Sequence, residues 1–83
     1  MKEPDFRPTV RLPANNRGVI ELTKRALRAA GADRDFTTLF IQECFRQKKY
    51  ADCLEIAKKY ADIEVIEGAT FEEILGGFYV PKS

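Results

Sequence analysis

The sequence predicts a mainly α fold with a short N-terminal strand, extended by an additional C-terminal helix and a short strand and helix. Three observations lead there. Pro8 and Pro13 bracket the alternating stretch Thr9-Val10-Arg11-Leu12, which excludes a helix interior and suits an edge or terminal strand. From about residue 17 to residue 61, apolar residues recur at three- and four-residue spacing, the period of amphipathic helices. Within that span Gly31 and the polar Gln47-Lys48-Lys49 are the natural interruptions, and no Gly or Pro lies between Ala32 and Gly68.

Residues 1–6 read as a flexible arm. In the strand that follows, period two sends Val10 and Leu12 one way and Thr9 and Arg11 the other. Asn15 or Asn16 caps the first helix, expected over about 17–30, and Gly31 ends it in the C′ position. Val19, Leu22, Ala26 and Ala29 form its apolar face, while Glu21, Lys24, Arg25 and Arg28 form a mostly basic opposite stripe. Asp33 or Asp35 caps a second helix bearing Phe36, Leu39, Phe40, Ile41, Cys44 and Phe45, an aromatic-rich face. A third helix carries Tyr50, Cys53, Leu54, Ala57, Tyr60 and Ala61. Ile63-Glu64-Val65-Ile66 reads as a short strand. Thr70-Phe71-Glu72-Glu73 fits a capping box that opens a one- to two-turn helix before Gly76-Gly77. Phe78-Tyr79-Val80 forms an apolar tail.

Composition narrows function by exclusion. With 45% hydrophobic and 33% charged residues, the chain has the balance of a globular domain and not of a disordered tail. No apolar run is long enough to span a bilayer, and the polar start Met1-Lys2-Glu3-Pro4-Asp5 has no signal-peptide pattern, so a cytoplasmic location is expected. Histidine is absent, which removes His-based acid–base catalysis and His-containing metal sites. Cys44 and Cys53 are too few for a disulfide scaffold and read as small core residues in a reducing compartment. The paired acids Glu72-Glu73 and Asp33 with Asp35 are ordinary helix-start residues. Neither an enzyme nor a bound cofactor is expected; catalytic and metal residues are none.

Charge is unevenly spread. Residues 1–34 hold eight Lys/Arg against four Asp/Glu, and residues 35–83 hold six against nine. A basic front half and an acidic back half suggest two roles on one small chain. A folded monomer of this length buries only about 60–65% of its unfolded surface, so self-association is expected to supplement the core.

The order Pro-Thr-Val-Arg-Leu-Pro, a helix ending Ala-Ala-Gly, then Ala-Asp-Arg-Asp opening another helix resembles the ribbon-helix-helix family over residues 7–47. Those proteins are small dimeric DNA-binding repressors and antitoxins. The resemblance implies an intertwined homodimer in which two copies of the strand pair antiparallel and enter the major groove of double-stranded DNA. Arg7, Thr9 and Arg11 would then read bases, and the amides near Asp33 and Arg34 would meet a phosphate. Val10, Leu12, Phe36, Leu39, Phe40 and Phe45 would form the dimer core. The chain departs from the family's pattern at Pro8, which lacks an N–H, and at Asp33 and Asp35, which place negative charge near the phosphate position.

Downstream, Leu39 to Phe45 followed by Lys48 to Tyr60 is similar to one tetratricopeptide-type hairpin, although a single hairpin cannot bury its own face and a plain αα-hairpin suffices. Two functions follow as expectations. One is a sequence-specific DNA-binding transcription regulator, a repressor or antitoxin, whose residues 48–83 extend the dimer or hold a partner protein. The other is a small helical adaptor or inhibitor that binds protein and no DNA.

Overall fold

The computed structural model describes residues 1–13, 18–68 and 70–76. Along them run β1 (Thr9–Pro13), α1 (Val19–Ala29), α2 (Arg34–Phe45), α3 (Tyr50–Tyr60), β2 (Asp62–Ile66) and α4 (Phe71–Gly76). Helices take up about half of the chain, in the order expected from the sequence.

One expectation is corrected. The N-terminal strand, which the resemblance pairs antiparallel with a second copy of itself, pairs in parallel with β2 of its own chain, from Thr9 opposite Asp62 to Pro13 opposite Ile66. The three intervening helices form a crossover long enough to bring β2 alongside in the same direction. Sequence periodicity reports which residues face a core, and carries no label for which strands meet.

The core is shared by the first three helices and the sheet. Val10 and Leu12 lie under the strands, as the alternation predicts, against Leu22 and Leu27 of α1, Phe40 and Cys44 of α2, and Ile56 and Ala57 of α3. Leu12, Leu27 and Phe40 are fully enclosed, each stabilising by about 1.5–3 kcal/mol relative to exposure. Described residues of both regions, 7–47 and 48–83, therefore contribute to one core and one sheet.

Local chemistry explains the boundaries. At the end of α1 the Ala32 N–H donates to Leu27 C=O (3.0 Å) and the Gly31 N–H to Arg28 C=O (3.1 Å), a Schellman closure. Gly31 reaches it at φ 106°, a conformation that disfavours any residue with a Cβ. Asp33 caps α2 by accepting from the Phe36 N–H at 2.9 Å, as expected. Residues 1–6, read as an arm, run along this turn. The Asp5 N–H donates to Ala30 C=O (2.7 Å), the Asp33 N–H to Lys2 C=O (3.1 Å), and the Lys2 N–H to Asp33 Oδ2 (2.8 Å).

The expected asparagine caps of α1 lie outside the described residues; the residue that precedes the helix is Gly18, at φ 78°. A Cβ there would collide with the Phe71 ring, so the missing side chain lets α4 dock on the start of α1. The capping box of α4 forms as read: Glu73 N–H donates to Thr70 Oγ1 (3.1 Å), and Thr70 N–H to Glu73 Oε1 (3.4 Å). The apolar tail Phe78-Tyr79-Val80 lies outside the described residues. No helix among those described is long and apolar enough to cross a membrane.

Candidate functional site

Arg7, read as a base-contacting residue, is occupied inside the chain. Its Nε donates to Asp62 Oδ1 at 2.7 Å, Nη1 to Lys59 C=O at 3.1 Å, and Nη2 to the carbonyls of Lys58 and Ala61. The last carbonyls of α3 have no intrahelical partners and carry the negative end of the helix dipole. A guanidinium, with five donors on a planar fork, satisfies several at once. Arg7 is thus a C-terminal cap for α3 and ties the starts of both strands together.

Thr9 and Arg11 lie exposed on the outer face of β1, as period two predicts. Arg11 Nε stands 3.8 Å from Glu64 Oε2 across the strand pair. Arg34 is exposed at the first position of α2, where Phe36 N–H and Lys2 N–H already bind the Asp33 carboxylate. A chain carboxylate therefore sits where the resemblance implies a phosphate. The Phe36 amide holds the Asp33 carboxyl below the usual aspartate range.

Of the residues assigned to a dimer core, Val10, Leu12 and Phe40 are buried within the single chain. Phe36 is half-buried and packs edge-on against Tyr60, with ring centroids 5.7 Å apart. Leu39 is 42% and Phe45 75% exposed. Phe45 borders a shallow cleft of about 310 Å³ beside Gly18 and Ile20. A second cleft, about 370 Å³, lies between Phe6, Phe36 and Tyr60 with Lys59 at its margin. Tyr60 donates to Glu43 Oε1 at 2.6 Å; burial, then the Glu43 carboxylate, push its phenol up to about 12. Cys44 and Cys53 are both buried free thiols, and Cys53 Sγ donates to Cys44 C=O at 3.3 Å. Burial and the neighbouring Cys53 push the Cys44 thiol up to about 11, which disfavours the reactive thiolate.

The sheet supplies a feature that local reading missed. In a parallel ladder, alternate residues of each strand point their N–H and C=O toward the partner. The Asp62 N–H donates to Pro8 C=O at 2.9 Å, which sets the phase: Asp62, Glu64 and Ile66 face β1, while Ile63 and Val65 direct their backbone groups to the outer edge. The corresponding outward residues of β1 are Thr9, Arg11 and Pro13, and Pro13 has no N–H to offer. α4 also packs against β1. The outer edge of β2 is consequently the more complete ladder, with Asp62 and Glu64 on the solvent face above it and Val65 48% exposed below. A sequence signal did exist: the acids of Asp62-Ile63-Glu64-Val65 alternate in step with the polar positions of Thr9-Val10-Arg11-Leu12. Its meaning needed the register.

Comparison of the chain with family models, curated proteins and solved structures finds no match.

Proposed function

We propose that this chain is a protein-interaction module that captures an extended segment of another protein by adding it as a strand to its sheet. The carrying observation is the outward ladder of Ile63 and Val65, for whose backbone groups no hydrogen bond is recorded among the described residues. Exposed edges of this kind are templates for a further strand, and main-chain hydrogen bonds then supply the affinity. The parallel sheet, of two strands among the described residues, is also small, since parallel strands usually belong to larger, covered sheets.

The DNA-reading alternative requires Arg7 and Arg11 to reach base edges. Arg7 would have to abandon the α3 carbonyls, and Arg11 would carry Glu64 toward a polyanion. One of the reasons for expecting two copies of the strand to pair, the need of β1 for a neighbour, is met within the chain by β2. Both points favour the protein-binding reading.

The test is a selection of displayed random peptides on the folded protein, followed by amide-resolved NMR titration with the selected peptides and with mixed duplex DNA at two salt concentrations. Peptide binding that shifts the Ile63 and Val65 amides is expected. Saturable duplex binding with steep salt dependence, those amides unmoved, would overturn the reading.

A further inference from the structure

Resting on the strand-addition reading, we infer that the segment taken up by the outer edge of β2 alternates basic with apolar residues, and that Asp62 and Glu64 select it. The chain contains its own precedent. On its inner edge β2 already holds a strand of this pattern: Arg7, Thr9 and Arg11 on the solvent face, Val10 and Leu12 on the core face. Two contacts join the charged sides. Arg7 Nε lies 2.7 Å from Asp62 Oδ1, and Arg11 Nε lies 3.8 Å from Glu64 Oε2.

A strand on the opposite edge of β2 would meet the same two rows. Its alternate residues on the solvent face would flank the Asp62 and Glu64 carboxylates, whose side chains are 64% and 54% exposed and so still open to a second cation. A carboxylate has lone pairs for more than one donor, and neighbouring opposite charges across strands are favourable. On the other face, the intervening residues would cover Val65 and the half-buried Ile63, which favours β-branched or leucine side chains there.

The same acids argue against the rival occupant, a second copy of β2. Pairing two β2 edges antiparallel would set Asp62 and Glu64 of one copy against those of the other, and like charges on adjoining strands are destabilising. Charged residues on an edge strand are a known guard against such self-pairing. The acidic row therefore rejects its own kind and accepts a basic strand.

The experiment uses the full chain, labelled with ¹⁵N, and three end-blocked synthetic peptides of about ten residues. Each alternates Val or Leu with one polar type: Arg in the first, Ser in the second, Glu in the third. The Arg peptide should bind, shift the Ile63 and Val65 amides and slow their hydrogen exchange, at least tenfold more tightly than the Glu peptide. N-methylation of the peptide residues that face β2 should abolish binding, whereas N-methylation of the alternate residues should not. In Asp62→Asn/Glu64→Gln, the preference for Arg over Ser should fall to near parity while the Ser peptide still binds. Glu64→Gln alone, which leaves Arg7 its partner, should show part of that loss should the double variant prove unstable.

If Ser and Glu peptides bind the same edge as tightly as Arg, the partner chemistry is overturned and strand addition stands. Should no peptide perturb the Ile63 and Val65 amides, both are overturned, and the acids act only as a guard against self-association.

Discussion

Arg7 gathers three carbonyls and a carboxylate from the α3–β2 junction, more own-chain partners than any other arginine described here. Its side chain is about half exposed, which lowers the worth of each bond through solvent screening. Arg7→Ala should still cost roughly 1–2 kcal/mol, because capping carbonyls and a charged partner are lost together. For a domain of this size that is about 4–16 °C in Tm. Arg7→Lys should recover less than half, since an ammonium can keep the Asp62 pair but cannot span several carbonyls. Thermal melts of the three proteins check this; a Lys variant as stable as the parent would show that only the charge matters. The residue illustrates how a side chain can look free in the sequence. An arginine in an extended stretch invites a reading as a ligand contact, and nothing local reveals that a helix terminus lies 51 residues downstream within its reach.

Among the elements, α2 depends most visibly on its cap. Asp33 accepts from the Phe36 N–H and from Lys2, and its carboxyl is held below the usual range chiefly by the Phe36 amide. A carboxyl depressed in the folded state adds stability that is complete above its unfolded pKa and is lost as pH falls through the folded one. The parent should therefore lose stability on acidification below about pH 4 more steeply than Asp33→Asn, whose amide oxygen can cap without titrating. Urea midpoints for both proteins between neutral pH and about pH 2 test it. Parallel curves would mean that Asp33 adds no pH dependence. This cap was readable in advance because an N-cap and its amide lie three residues apart, as were the Gly31 stop and the Thr70–Glu73 box. The start of α1 was not. Gly18 is explained by Phe71, which is 53 residues away in the chain.

At the scale of the molecule, the sheet and the core join the two halves that composition divides. β2 covers one edge of β1, and Cys53, Ile56, Ala57 and Ala61 from α3 and its end pack into the same cluster as Val10 and Leu12. A fragment of residues 1–47 should therefore lack a cooperative melt, while the full chain melts as one unit. Its length also approaches the limit of about 40 residues below which a chain rarely holds a core unaided. Circular dichroism of both, with molar mass from light scattering, checks this. A folded dimer of the fragment would restore the ribbon-helix-helix reading of residues 7–47 and remove the single-core account.

By itself the sequence determined the kinds of element, most of their ends, the inward side of β1 and the burial of both cysteines. These depend on periods of 2 and 3.6 residues and on caps that act within a few positions. Only the tertiary structure decided that β1 meets β2, that Arg7 closes α3, and that Asp62 and Glu64 stand over a β2 edge that no other described strand covers. Those outcomes join residues about 50 positions apart, and register is a property of two segments together, which neither segment encodes alone.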